Sequence, residues 1–215
     1  MFQFMSDPDN LLGRILGRIG QIIVLNLLFL LFSIPVFTIG ASLTALYHTV
    51  MKIEWGRESV HIFEEFYTSF RENFRQCVVF WFLAAAFYAA LYFSFLVSHA
   101  YGLVAVETAL IFLGALVFTW LQYLFSNVAS FKGQGKQHAL NAISFLLSDP
   151  AKAAAVAVLN LVPLCLTFLD AVNQPTFVFC WFFFGFSLIV SAESKIFLKL
   201  YAPYFNSDCD KIQTK

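Results

Sequence analysis

Four histidines, His48, His61, His99 and His138, are the side chains best suited to acid–base or metal chemistry, and their spacing argues against both. No two stand three or four residues apart and no HExxH occurs, so no helix offers a pair of imidazoles to one ion. Cys77, Cys165, Cys180 and Cys209 follow no metal or redox spacing and read as packing residues. There is no GxSxG and no phosphate-binding glycine loop. Gly133-Gln134-Gly135-Lys136 is too short for one and follows no strand. The expectation is therefore no catalytic, cofactor-binding or metal-ligating residue, no cofactor, and no enzyme.

Polar groups inside apolar stretches are the remaining chemistry. Ionisable side chains are costly in lipid and turn toward a bundle interior. His48 and Lys52 stand one turn apart, and Glu193 lies near the end of the last apolar run, within reach of His48, Lys52 or an N-terminal arginine. With Asn26 these form a candidate intramembrane polar site: Asn26, His48, Lys52 and Glu193. The competing reading has the charges snorkelling to water and Asn26 and Asn160 acting as helix-packing amides. Thr38, Ser42 and Thr44 either line a crevice with Asn26 or bond the carbonyls of their own helix.

Composition fixes what must position these groups. Of 215 residues, 60% are hydrophobic, 12% are charged and 28 are phenylalanine, far from the balance of a soluble domain. This describes a single polytopic membrane domain whose first partner is the lipid bilayer. A net charge of zero argues against nucleic acid as a partner.

Apolar runs long enough to cross about 30 Å of hydrocarbon recur along the chain. The first covers Leu11 or Ile15 to Phe32. Pro35 stops it, and Thr38 stands where a cap belongs, followed by the slim turn Gly40-Ala41-Ser42 that another helix can approach closely. The second run reaches Trp55. From Ser59 to Gln76, Phe63, Phe66, Tyr67, Phe70 and Phe74 recur at helical spacing opposite most of the charges, as an interfacial helix or a partner-docking one would show. Further spans are expected over Cys77–Val97, Gly102–Asn127, Ala151–Phe168 and Phe177–Leu200. A second amphipathic helix with Ala139, Ala142, Ile143 and Leu146 lies between the fourth and fifth, and Asp149-Pro150 starts the fifth. The fold class is thus all-α: a polytopic helix bundle with about six transmembrane helices and two cytoplasmic interfacial amphipathic helices. Residues 38–97 and 103–168 are a candidate internal repeat.

All 13 lysines and arginines fall at Arg14 and Arg18, between Lys52 and Arg75, between Lys132 and Lys152, or from Lys195 onward. None falls near Pro35, Tyr101 or Asn173. The positive-inside rule then puts every basic segment and both termini in the cytoplasm and demands an even number of crossings between Arg18 and Lys52. A spanning hairpin at Pro35 gives six crossings; a re-entrant one gives four. Trp55, Trp81, Trp120, Tyr123, Tyr201 and Tyr204 gather where an inner aromatic belt is expected.

The runs Asn26-Leu-Leu-Phe-Leu-Leu-Phe-Ser-Ile-Pro35, Thr38-Ile-Gly-Ala-Ser-Leu-Thr-Ala-Leu-Tyr47 and Phe70-Arg-Glu-Asn-Phe74-Arg-Gln76 strongly resemble the YesL-like family of bacterial integral membrane proteins, a domain of unknown function. The resemblance is clearest over Leu11–Phe82. It implies an inner-membrane protein of about six helices, often encoded beside ABC-type carbohydrate uptake systems and carbohydrate-degrading enzymes, and it supplies no catalytic residues. Two function classes follow. A non-enzymatic accessory of carbohydrate uptake would dock on ABC-type transporter subunits or another membrane protein through Phe63, Phe66, Tyr67, Phe70 and Phe74. A small-solute permease would instead enclose a polar cavity near His48 and Glu193.

Overall fold

A computed structural model describes residues 11–56, 61–169 and 173–205 of the chain. Asp170 in the expected 170–176 loop and Cys209 lie outside the described residues. Among those residues eight α-helices carry the chain: α1 (Leu11–Phe32), α2 (Ile39–Glu54), α3 (Ile62–Ala100), α4 (Val104–Ser130), α5 (Gly135–Ser148), α6 (Pro150–Leu169), α7 (Gln174–Cys180) and α8 (Phe186–Tyr201). One π-helical turn, Trp181–Gly185, joins α7 to α8. Five segments are long and apolar enough to cross a membrane, and Leu16–Phe32 is a shorter apolar helix. The all-α polytopic bundle expected from composition is what forms.

The first amphipathic segment is not a separate helix. It runs into the third span without a break, as the 39 residues of α3. At about 1.5 Å per residue α3 is about 58 Å long, nearly twice the hydrocarbon thickness, so one part must project beyond it. The projecting part carries Glu64, Glu65, Arg71, Glu72 and Arg75. From Cys77 onward α3 shows lipid-facing side chains instead, among them Phe82, Leu83, Phe93 and Leu96. α4 returns beside it, with the Tyr88 hydroxyl donating to the Gly114 carbonyl at 2.8 Å. Its last third is enclosed by protein, every residue from Leu121 to Ser130 being buried.

α2 is the hub of that charged end. Of its candidate span 72% is buried inside the protein, against 6–11% for the other four, so its apolar residues face protein and not lipid. It lies antiparallel to the projecting half of α3. Lys52 pairs with Glu65 at 2.7 Å, and Gly40 meets Cys77 one helix-length away. A Cβ on Gly40 would lie 3.0 Å from the Cys77 carbonyl oxygen and 3.1 Å from the Phe125 ring, so this contact needs a glycine. The facing stripe on α3 is Phe66, Ser69, Asn73 and Cys77, mostly small residues that let α2 come close.

That packing fixes how far the Pro35 hairpin extends along α3 and α4. Gly40 sits at the level of Cys77 and Phe125, each about 22–24 residues, or about 35 Å, along its helix from the turn at Tyr101. Phe32, at the end of α1, rests its ring against Phe66, Tyr67 and Phe70 at centroid distances of 5.4, 6.2 and 4.9 Å. The Pro35 hairpin therefore lies well short of the Tyr101 turn, while Phe29 and Ile39 on either side of it share a chamber with Leu164 and Trp181, near the α6–α7 connection. By length and composition five segments are able to cross, α2 together with α3, α4, α6 and α7–α8, with α1 contributing the shorter apolar stretch Leu16–Phe32. Thr38 stands at the N-cap of α2 as expected. Its hydroxyl, however, donates backward to the Phe32 and Pro35 carbonyls and fastens the hairpin.

α5 buries His138, Ala142 and Phe145 and leaves Ile143 exposed, a face rotated from the expected one. His138 Nδ1 donates to Asn127 Oδ1 at 2.7 Å, tying α5 to α4. Asp149 caps α6, its Oδ1 accepting from the Lys152 amide at 3.1 Å. The Lys152 ammonium and amide hold the Asp149 carboxyl below the usual aspartate range. Tyr123 and Tyr201, expected in an aromatic belt, are fully buried in a ring cluster with Phe197.

Phe66→Ala should cost about 3–5 kcal/mol by emptying a fully enclosed ring site, whereas Tyr67→Ala, at a half-exposed position, should cost less than half of that. Thermal unfolding in detergent measures the difference. In a variant without native cysteines, a short bis-maleimide should bridge Phe32→Cys to Phe70→Cys in membranes. Residues on opposite faces of a bilayer would give no such product.

Candidate functional site

The four residues expected to form one polar site fall into three separate places. Asn26 belongs to the π turn. Winding that turn one residue wider displaces backbone partners, and the Asn26 side chain replaces them. Its Nδ2 donates to the carbonyls of Trp181 at 2.9 Å and Phe182 at 2.7 Å, while its Oδ1 accepts from the Ser187 amide at 3.0 Å. All of its hydrogen bonds serve to lock α1 to the α7–α8 unit.

His48 and Lys52 face α3 and α4. Lys52 Nζ lies 2.7 Å and His48 Nε2 3.6 Å from the same Glu65 oxygen, and His48 Nδ1 donates to the Ala129 carbonyl at 2.9 Å. The expected pairing of either with Glu193 does not form. Of the N-terminal arginines, Arg18 pairs instead with Glu54, which also accepts from Ser191 at 2.9 Å, and the Arg14 side chain lies outside those described. Arg18, Lys52, Glu54 and Glu65 are thus matched locally, where α2 ends. The crevice of Thr38, Ser42 and Thr44 does not open either. All three are buried, and Thr44 donates to its own helix at Gly40 while lying 3.2 Å from Cys77 Sγ.

Glu193 has no accessible surface and, among the described residues, no cation within ion-pair distance. Its carboxyl is held instead by neutral donors from two other helices, the Tyr47 hydroxyl of α2 and the Asn160 amide of α6. Gln122 of α4 completes the set. Its Oε1 accepts from Tyr47 at 3.0 Å and its Nε2 donates to Asn160 Oδ1 at 3.3 Å. Asn160 is anchored in turn on the Val156 carbonyl at 2.9 Å. Four helices thus meet at one closed hydrogen-bond network, which is the arrangement a buried carboxyl needs.

Tyr47, Gln122 and Asn160 also form the polar floor of a chamber of about 260 Å³. Its walls are aromatic and aliphatic, with Trp81, Phe118, Trp181 and Phe186 among them. Trp181 is fixed by donating from Nε1 to Thr167 Oγ1 at 2.9 Å. Gly185 makes room for it, since a Cβ there would come within 2.6 Å of the indole. Apolar walls around a few convergent polar groups are the usual make-up of a small-molecule site. The floor groups carry no formal charge and expose little surface, Tyr47 none, so most of the chamber's accessible lining is apolar. Of this site the sequence reading had Glu193 and, as a packing amide, Asn160. Tyr47 and Gln122 were missed. The available signal was their polarity within otherwise apolar runs.

The expected docking face is largely turned inward. Phe66 is completely buried, and Phe70 and Phe74 pack partly buried against the core. Phe63 and Tyr67 remain exposed, with parallel rings 6.2 Å apart.

Asn160→Leu should lower stability by about 1–3 kcal/mol, because it strips a donor from a buried carboxyl. Asn160→Leu combined with Glu193→Leu should recover part of that loss, since neither polar partner then remains unmatched. Unfolding of the single and double variants in detergent gives the order.

Residues 22–95, about a third of the chain, match a family described as "Protein of unknown function, DUF624". No curated protein and no solved structure matches the chain.

Proposed function

We propose that this is a non-enzymatic membrane protein of carbohydrate uptake or utilisation, which takes a neutral solute of monosaccharide size into the chamber above Glu193. The observation that carries this reading is the chamber itself. Two tryptophans and two phenylalanines stand over a floor of hydroxyl and amides whose geometry is already fixed by a buried carboxyl. Sugar rings present apolar C–H faces and a rim of hydroxyls, and such a site meets both. The resemblance of the hairpin region to the YesL-like family adds the carbohydrate context. In this reading the protein is a permease or a solute-receiving subunit of the bacterial inner membrane, with both termini cytoplasmic.

Docking on ABC-type transporter subunits or another membrane protein is a second reading. What favours it is the exposed, parallel pair Phe63 and Tyr67 on the projecting half of α3.

Titration of the purified protein with D-glucose, D-xylose and myo-inositol tests the first reading. Saturable change in tryptophan emission is expected for at least one of them, weakened at least tenfold by Trp81→Ala, which removes a wall without touching the hydrogen-bond floor. No saturable response to any neutral polyol would reject it. For the second reading, Phe63→Ser with Tyr67→Ser should abolish co-purification of transporter subunits while chamber binding persists.

A further inference from the structure

We propose that a groove at the charged end, between α3 and the turn from α4 into α5, binds the phosphate of an anionic phospholipid headgroup. The groove holds about 660 Å³ and is rimmed by Arg75, Lys132 and Lys136. Glu72 is the one acidic residue lining it, so three cations face one carboxylate. Elsewhere in the protein the cations near the core are matched: Arg18 by Glu54, Lys52 by Glu65, and Lys152 by Asp149. Arg75, Lys132 and Lys136 make no ion pair among the described residues, and all three are exposed. Three unmatched cations converging on one concavity are an anion site in both charge and shape.

The local fold keeps them together. Gly135 lets the Phe80 ring approach so closely that a Cβ there would lie 3.1 Å from it, which pins the turn to α3. The same glycine starts the 14-residue α5, whose positive N-terminal end adds to the field. Asn73 and Gln76 contribute amides to the wall.

Position identifies the source of the phosphate. Val79 and Phe80 line the groove, and Val79 begins the exposed apolar surface that continues through Phe82 and Leu83. The cations therefore lie within about one turn of the start of the lipid-facing surface, at the depth of a headgroup. The adjoining apolar face suits an acyl chain. A basic pocket between helices at the membrane boundary is suited to anionic headgroups, whereas free phosphate would gain nothing from the apolar wall.

Native mass spectrometry of the detergent-solubilised protein provides the test, with dioleoyl phosphatidylglycerol, dioleoyl phosphatidylcholine and inorganic phosphate as probes. Phosphatidylglycerol should be retained well above phosphatidylcholine. Arg75→Gln, Lys132→Gln and Lys136→Gln should each weaken retention about fivefold, and the triple variant about a hundredfold. Lys195→Gln with Lys199→Gln, exposed cations that do not line the groove, should change nothing, and Arg75→Lys should keep most of the binding. The single variants preserve the test if the triple variant does not fold. Equal retention of the two lipids, or undiminished retention by the single and triple variants, would overturn the proposal. Displacement of phosphatidylglycerol by millimolar inorganic phosphate would also overturn it, by assigning the groove to the free anion.

Discussion

A carboxyl group sealed among apolar helices has few ways to exist, and the arrangement around Glu193 follows from that constraint. Without a cation in reach, its oxygens need donors, and they come from Tyr47 and Asn160 on two different helices. Gln122 joins them, its amide donating to Asn160 and its carbonyl sharing the single Tyr47 hydroxyl proton with the Glu193 carboxyl, so α2, α4, α6 and α8 are held in one mutual orientation. The chamber lies directly on this network. Its floor is rigid because the groups forming it are already committed to one another, and preorganised polar groups lose less on binding a solute.

The second organising feature is the depth of the Pro35 hairpin. α2 is as apolar as a membrane span, yet it spends that character on protein contacts, enclosed by α1, α3, α4 and α8. Gly40 against Cys77, and the small stripe Ser69, Asn73 and Cys77, permit the close approach. Ion pairs at Arg18–Glu54 and Lys52–Glu65 close the other end of α2, where charges are cheapest to keep. The bundle is therefore asymmetric along its length. A protein-enclosed core surrounds α2, and the α3–α4 hairpin runs on beyond it to the turn at Tyr101.

Much of this architecture was legible in residue order. Apolar run length gave the class, Pro35 and Thr38 located the hairpin, and Asp149-Pro150 marked the start of α6, because each of these is a local rule. Hairpin depth was not legible, since a buried hub helix and a lipid-facing helix share one composition and differ only in what surrounds them. The aromatic spacing of Phe63 to Phe74 marked a helix correctly, but not that Phe66, Phe70 and Phe74 pack against the protein's own core. The small stripe Ser69, Asn73 and Cys77 that lets Gly40 come close carried no hydrophobic signal. Asn26, His48, Lys52 and Glu193 have the right chemistry for a shared site, but partner choice across helices depends on rotation about each axis, which sequence spacing leaves open. Tyr47 and Gln122 went unnoticed for the same reason.

The unbroken course of α3 has a mechanical consequence. A helix with no proline or π turn between Ile62 and Ala100 behaves as a stiff rod. Pivoting it by about 10° at Cys77 would swing its first residue by about 4 Å and its last by about 6 Å in the opposite sense. Any load applied at Phe63 or Tyr67 is thereby delivered to the far tip, passing Trp81 on the way, so the chamber wall is geared to events outside the hydrocarbon layer.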